Sequence, residues 1–186
     1  MSIYSEIADS PIIAAVKSDK GLEQALHADC SIIFILYGTV CSIAGIVDRI
    51  KEKNKRALVH VDLIEGLSSK DVAVEFIKAF TKADGIISTK PSVIKAAKEM
   101  GLITVQRFFL IDSLSLENVM KNINDKHTDI IEVLPGVIPK VIKKIADSSR
   151  VPVIAGGLIT DKEDMVLALK AGAHGVSTTK QELWSM

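Results

Sequence analysis

Short apolar segments alternate with amphipathic segments along the whole chain, and this alternation limits the possible folds more than any other feature. Eight apolar runs rich in β-branched residues lie at 11–17, 31–38, 57–66, 85–89, 103–110, 129–135, 151–158 and 174–179. Between them, apolar residues recur three and four positions apart, most clearly at 71–80, 115–123 and 165–172. The short runs predict strands and the longer period predicts helices, so the chain consists of eight strand–helix units.

Strict alternation of strand and helix indicates parallel strands joined by right-handed crossovers. Eight such units predict one domain, residues 1–186, folded as a small (β/α)8 barrel of the TIM type. An open doubly wound parallel sheet is the alternative, because such barrels usually have about 250 residues. Ser113 and Asp161 are predicted helix N-caps, whereas Gly101 and Gly172 occupy positions typical of helix C-caps.

Composition argues against several function classes. Lys plus Arg and Asp plus Glu both number 23, so bulk charge indicates neither a nucleic-acid nor a membrane partner. The longest apolar run, 31–38, is far shorter than the roughly 20 residues that cross a bilayer, and residues 1–16 lack a signal-peptide pattern. We therefore expect a cytoplasmic protein. Cys30 and Cys41 match neither a metal site nor a disulfide framework, and no metal is expected.

Polar residues gather at the predicted carboxyl ends of the strands, where parallel α/β folds place their functional sites. Alternation along the third strand directs His60 and Asp62 into the barrel. The apolar Val61 and Leu63 would then pack beneath the helices. Ionised groups inside a small barrel need partners, because an unpaired buried charge is costly. We therefore expect one network near the rim, formed by Lys17, Asp62, Arg107 and Glu132.

The ends of the last two strands predict a phosphate site. Strand 7 ends in Gly156 and Gly157, and strand 8 ends in Ser177 and Thr178. In (β/α)8 barrels the loops after strands 7 and 8 frequently bind phosphate. Backbone N–H groups that glycine leaves accessible, together with hydroxyl groups, suit a phosphate monoester. A tight turn that requires positive φ is the alternative, and it explains one glycine better than two.

Six sequence blocks carry a resemblance to a known family. In chain order they are VHVDLIEGL, DGIISTK, QRFFLIDS, IEVLPGVIPK, IAGGLI and GVSTTKQELW. Together they resemble the glycerol uptake operon antiterminator family, which comprises glycerol-3-phosphate-responsive regulators with a (β/α)8 barrel fold. The resemblance extends from about Pro11 to Trp184. It departs from the family pattern at Lys90, where relatives often carry arginine.

This resemblance implies regulation of transcription rather than catalysis. Family members bind glycerol-3-phosphate and act on leader mRNA of glycerol-utilisation genes, where they prevent premature termination. The resemblance implies no catalytic residue and no cofactor, with glycerol-3-phosphate as the effector. It assigns the phosphate to Gly156, Gly157, Ser177 and Thr178. It assigns the glycerol hydroxyls to Asp62 and Glu132, with Lys17, Gln106 and Arg107 as further candidates.

The RNA contacts are predicted only from charge runs. The densest run, 48–56, offers Lys51, Lys53 and Lys55 as candidate RNA contacts, and a second basic run lies at 139–150. Such runs are usually solvated helix ends. The two runs belong to helices that are not neighbours in a barrel, so a continuous basic patch would arise more easily across a homodimer.

Two other functions remain open at this level. One is a barrel enzyme acting on a small phosphorylated substrate, with Lys17 forming a Schiff base or with a metal held by acidic residues and His60. The candidate metal ligands are His60, Asp62, Glu65 and Glu132. The other is a glycerol-3-phosphate sensor that acts through a protein partner and contacts no RNA.

Overall fold

Eight parallel strands form a closed barrel in chain order in the computed structural model, which describes residues 2–68 and 70–185. Closure is made by the first and last strands, since Ala14 lies beside Thr178 in a parallel register. The open sheet is thereby excluded and the predicted barrel is confirmed. The strands are β1 (Ile12–Val16), β2 (Ile32–Ile35), β3 (Arg56–His60), β4 (Gly85–Ser88), β5 (Ile103–Phe109), β6 (Ile130–Leu134), β7 (Val153–Gly156) and β8 (Gly175–Thr178).

Helices connect the strands on the outside of the barrel and also close its amino-terminal end. The helices of the described residues are α1 (Ile3–Asp9), α2 (Asp19–His27), α3 (Ile43–Glu52), α4 (Asp71–Phe80), α5 (Pro91–Glu99), α6 (Ser113–Asn122), α7 (Pro139–Ser148) and α8 (Lys162–Lys170). Single 3-10 turns span Val61–Leu63 and Gln181–Leu183. None of the helices in the described ranges is long and apolar enough to cross a membrane.

Two apolar layers stabilise this architecture. The larger layer lies between strands and helices, and a smaller one fills the barrel with side chains such as Phe34, Leu58 and Ile154. Ile3 and Ile7 of α1 belong to the inner layer, so this helix covers the amino-terminal end of the barrel. Polar side chains are therefore left to the opposite end, where the strands finish.

Most predicted helix boundaries agree with the structure. Asp161 caps α8 by accepting a hydrogen bond from the Asp164 amide at 2.9 Å, and Gly101 and Gly172 follow α5 and α8 with φ of +74° and +101°. The predicted N-cap at Ser113 is wrong, because Asp112 occupies that position and Ser113 is already helical. Asp112 accepts from the amide at the third helical position, which only the residue before the helix can reach.

The third strand ends earlier than alternation predicts. The chain leaves the sheet after His60 and forms the 3-10 turn Val61–Leu63. Val61 remains buried, but Leu63 is 46% exposed at the mouth of the barrel rather than packed beneath a helix. The prediction for Leu63 is wrong because period-two alternation applies only while the backbone stays extended.

Candidate functional site

A cavity of about 270 Å³ opens at the carboxyl ends of the strands, and we call it the mouth pocket. Strands β5, β6 and β8 contribute polar residues, as do the positions directly after β1 and β8, and the loop after β7 forms part of the wall. This is the face where the sequence predicts the functional site. The lining residues are Ala15, Lys17, Leu36, Leu63, Arg107, Phe109, Glu132, Leu134, Gly157, Leu158, Ile159, Ser177, Thr178 and Thr179.

A buried ion pair forms the polar floor of the mouth pocket. Arg107 Nε donates to Glu132 Oε2 at 2.6 Å, and Ser177 Oγ donates to Glu132 Oε1 at 2.5 Å. Glu132 is fully buried and the Arg107 side chain is 7% exposed. Hydrogen bonds to both carboxylate oxygens compensate the charge that burial would otherwise make very costly. The structure thus joins two members of the predicted network and adds Ser177 to it.

Gly156 makes room for this hydrogen-bonded group. A Cβ atom at position 156 would lie 2.5 Å from Ser177 Oγ and 2.7 Å from Glu132 Oε1, closer than real Cβ atoms approach oxygen. Any side chain would therefore displace the Ser177–Glu132 hydrogen bond. The close approach that the glycine permits is made by groups of the protein itself, which sequence reasoning did not foresee.

Gly157 has a different reason for being glycine. Its φ is +73°, and the next residue, Leu158, also has a positive φ of +60° although it carries a side chain. Such backbone strain in non-glycine residues concentrates at functional sites. Within residues 2–68 and 70–185 the amides of Gly157, Leu158 and Thr179 have no hydrogen-bond acceptor. This loop therefore brings unpartnered N–H groups to the wall of the mouth pocket.

The hydroxyl groups at the end of β8 differ in their contacts. Thr178 Oγ1 donates to the Ile159 carbonyl at 3.0 Å and accepts from the Lys180 amide at 3.1 Å. The Thr178 hydroxyl therefore ties the β7 and β8 loops together, and its predicted phosphate contact remains untested. Thr179 also lines the pocket, and it was missed although it continues the same Ser-Thr-Thr run.

Lys17 lies at the rim of the mouth pocket, directly after β1. The residue is exposed, and its ammonium group makes no salt bridge or hydrogen bond within the described parts of the chain. It does not join the Arg107–Glu132 pair as the sequence predicted. Its charge is available instead to an anion entering the pocket.

Asp62 does not line the mouth pocket, and its predicted place in the network is wrong. Its carboxylate accepts from Ser88 Oγ at 3.0 Å and from the Thr89 amide at 2.8 Å, which fastens the end of β4. The reason is the 3-10 turn after His60, which redirects the side chain toward the neighbouring strand. His60 Nδ1 is 3.9 Å from Asp62 Oδ2 and has no hydrogen-bond partner among the described residues.

His60 is buried and does not line the mouth pocket. The pKa of His60 is lowered from 6.5 to about 4, mainly because the imidazole is buried and secondly because Arg107 is positively charged; the carboxylate of Asp62 opposes this shift only in part. An imidazole with this pKa is neutral near pH 7. His60 therefore contributes no positive charge near the mouth pocket at neutral pH.

Gln106 lies on the outside of the barrel, so its predicted ligand contact is wrong. The side chain is 3% exposed, and its Oε1 accepts from Thr128 Oγ1 at 2.9 Å. Arg107 lines the pocket, and adjacent residues of a strand point to opposite faces of the sheet. The alternation that directs Arg107 inward places Gln106 beneath the helices.

Several charged side chains of the basic run at 48–56 make contacts within the protein. Lys51 Nζ bonds to Asp84 Oδ2 at 2.6 Å, and Lys55 Nζ donates to the carbonyls of Ala28 and Cys30. The ammonium groups of Lys51 and Lys55 are thus already engaged within the protein, and the prediction that they contact RNA stays untested. Lys53, the exposed C-cap of α3, keeps that prediction untested.

The predicted metal ligands do not come together. No group of three or more His, Cys, Asp or Glu side chains within the described residues could hold a metal ion. Glu132 lies in the ion pair, whereas Asp62 fastens β4.

Comparisons with known proteins agree with the resemblance carried by the six sequence blocks. The family model for the glycerol-3-phosphate responsive antiterminator matches residues 12–184. The uncharacterized protein YgcP of Escherichia coli strain K12 is 43% identical over 186 residues, which cover 100% of this chain and 97% of that protein.

Two solved structures have the same fold over nearly the whole chain. The glycerol uptake operon antiterminator regulatory protein of Listeria monocytogenes is 33% identical over 95% of each chain, with a TM-score of 0.88. A glycerol uptake operon antiterminator-related protein of Thermotoga maritima is 32% identical over 94% of this chain and 98% of that one, with a TM-score of 0.82. This chain belongs to the glycerol-3-phosphate responsive antiterminator family.

Proposed function

We propose that this protein is a sensor that binds glycerol-3-phosphate in the mouth pocket and thereby controls antitermination on the leader mRNA of glycerol-utilisation genes. The ligand is bound and released unchanged. One observation carries the proposal: a small cavity combines a hydrogen-bonded Arg107–Glu132 pair with unpartnered amides and the free cation of Lys17. The chain's family supports the choice of ligand.

The phosphate is assigned to the side of the pocket formed by the β7 and β8 loops. Successive N–H groups in a tight turn make a concavity that favours anions, and Gly157 and Leu158 supply that geometry. Thr179 adds an amide and a hydroxyl group. Lys17 lines the same cavity, and its exposed ammonium group supplies a positive charge that attracts the phosphate.

The glycerol hydroxyls are assigned to the floor of the pocket. A hydroxyl can donate to a carboxylate oxygen and accept from a guanidinium group, so one polyol suits the Arg107–Glu132 pair. Ser177 already donates to Glu132 and holds that carboxylate in place. This arrangement favours a polyol over an apolar ligand.

The lining of the pocket supports binding rather than turnover. Among the described residues that line it, Glu132 is the one carboxylate and none is histidine. Both carboxylate oxygens of Glu132 already accept hydrogen bonds, from Arg107 and from Ser177, so a substrate proton would compete with these donors. A Schiff-base lysine is activated by desolvation, whereas Lys17 is exposed at the rim.

Thermal unfolding with and without ligand tests the sensor. At one hundred times the dissociation constant, glycerol-3-phosphate should raise the melting temperature by about 5–10 °C, because the native state alone binds it. Glycerol and inorganic phosphate, added separately, should each give a smaller shift. NMR of the same mixture should show no product.

Two variants sharpen this test. Lys17→Met should lose most of the ligand-induced shift, whereas Lys20→Met, also exposed but outside the pocket, should keep it. Formation of product would refute the sensor, and equal shifts in both variants would refute the proposed site. The regulatory half is tested by filter binding of a glycerol-operon leader transcript. A ligand that leaves RNA affinity unchanged would favour a sensor acting through a protein partner.

A further inference from the structure

The cations on the two sides of the barrel differ in how they are compensated. On the α3 side, Arg49 pairs with Glu23, Lys51 with Asp84, and Lys55 with backbone carbonyls. Most of the positive charge there is occupied by internal contacts, with Lys53 as an exposed exception. Uncompensated cations in a group must therefore be sought elsewhere on the surface.

Helices α6 and α7 enclose a basic groove on another side of the barrel. The groove has a volume of about 550 Å³ and is lined by Ser113, Leu116, Glu117, Met120, Lys121 and Lys144. Lys140 lies one helical turn before Lys144 on α7, hence on the same face. All three lysines are exposed, and none of their ammonium groups makes a salt bridge or hydrogen bond within residues 2–68 and 70–185.

The arrangement of these lysines opposes the stability of α7. Like charges four residues apart, as at Lys140 and Lys144, destabilise a helix. Lys140 also lies in the first turn, close to the positive end of the helix dipole, and the N-cap residue Ile138 provides no side-chain cap. By contrast, Lys143 on the adjacent face pairs with Asp147 at 3.1 Å. Glu117 also lines the groove, four residues before Lys121 on the same face of α6, so one carboxylate is at hand for Lys121. A bound anion would supply the compensation that Lys140 and Lys144 lack.

Exposed apolar side chains lie at the start of α6 and α7, the two helices that enclose the groove. Ile111, Leu114 and Ile138, which are 86%, 70% and 37% exposed, lie where α6 and α7 begin. Phe109, at the end of β5, is 51% exposed and also lines the mouth pocket. Sites for single-stranded nucleic acid combine a positive groove with an aromatic platform on which bases stack.

We propose that the α6–α7 groove binds the phosphodiester backbone of single-stranded RNA through Lys121, Lys140 and Lys144. Phe109, which lines the mouth pocket and stands four residues before Ser113 of the groove, offers a ring for one base. This inference rests on the proposed function only for the identity of the RNA, a leader transcript. It places the RNA beside the effector, so that one aromatic side chain adjoins both.

Neutralising the three lysines tests the groove. The variant Lys121→Gln/Lys140→Gln/Lys144→Gln is compared with wild type by fluorescence anisotropy, using a labelled leader transcript of a glycerol-uptake operon over a range of salt concentrations. Loss of three phosphate contacts should flatten the slope of log affinity against log salt by about 2 and weaken binding about 50-fold near 0.15 M salt. Circular dichroism and glycerol-3-phosphate calorimetry should match wild type.

The matched control neutralises three exposed lysines on other helices, Lys20→Gln/Lys78→Gln/Lys170→Gln, which changes the net charge equally. Its RNA affinity should stay within a few-fold of wild type. If both triple variants lose affinity equally, the effect is one of net charge and the groove is refuted. If the groove variant keeps wild-type affinity and slope, the RNA binds elsewhere and the sensor stands.

Two outcomes separate the groove from the wider proposal. A wild-type protein that binds glycerol-3-phosphate but no leader transcript would overturn both the groove and the RNA half of the proposed function. Competition by poly-glutamate as strong as competition by unlabelled RNA would overturn the RNA assignment in favour of an acidic protein segment.

Discussion

Replacing Arg107 with methionine removes the guanidinium group that neutralises Glu132 at the floor of the mouth pocket. Glu132 is 0% exposed, and the pair is joined at 2.6 Å. Methionine keeps much of the apolar stem of arginine, so the main loss is the charge. Breaking a buried ion pair in this way costs about 3–5 kcal/mol, because the remaining charge has no partner. For a chain of this length that corresponds to a melting temperature roughly 10 °C lower.

Urea unfolding at neutral pH, followed by circular dichroism, measures this cost in a double-mutant cycle. Arg107→Met and Glu132→Gln should each lower the free energy of unfolding, since each leaves the opposite charge buried. The double variant should recover at least about 1 kcal/mol relative to the sum of the single losses, because neither charge then remains. Lys143→Met provides the control, since the Lys143–Asp147 pair is exposed and is worth about 0.5 kcal/mol.

Two results would refute this reasoning about the floor of the pocket. An Arg107→Met protein whose unfolding free energy lies within about 1 kcal/mol of wild type would mean that Glu132 does not carry a buried charge. Losses that simply add in the double variant would mean that the two side chains contribute independently. Either result would also remove the physical basis for assigning the glycerol hydroxyls to this pair.

Two further predictions follow from the same region. Gly156→Ala should cost about 2–3 kcal/mol in urea unfolding and most of the glycerol-3-phosphate affinity in calorimetry, because its Cβ would meet Ser177 and Glu132. Gly45→Ala in α3, where a Cβ meets nothing within 4 Å, should instead stabilise by about 0.5–1 kcal/mol; similar effects at both positions would contradict this view. Because burial lowers the pKa of His60 to about 4, the unfolded state binds more protons below pH 6.5, and stability should fall as pH falls toward 4. Urea unfolding at several pH values should show that the free energy of unfolding falls less steeply with decreasing pH in His60→Leu than in wild type, by up to about 1.4 kcal/mol per pH unit. An identical slope in the two proteins would contradict the burial of His60.

Much of the architecture could be predicted from the chain alone. Apolar period and strand length depend on local sequence, and eight alternating units leave few packing solutions besides a barrel. The location of the mouth pocket was predictable for a related reason: all strands are parallel, so their carboxyl ends meet at one face. Arg107, Glu132, Gly157 and Ser177 all reach the mouth pocket there.

The sequence by itself determined the eight strand–helix units, the face of the barrel that holds the polar residues and the family resemblance. Only the tertiary structure decided which polar residues meet, because their partners are distant in the chain: Glu132 joins Arg107 and Ser177, which lie 25 and 45 residues away. The tertiary structure also decided that Asp62 bonds to the end of β4 and that Gln106 bonds to Thr128. A single 3-10 turn or a shift of one residue along a strand redirects a side chain to another surface, and local periodicity does not specify where the backbone leaves the sheet.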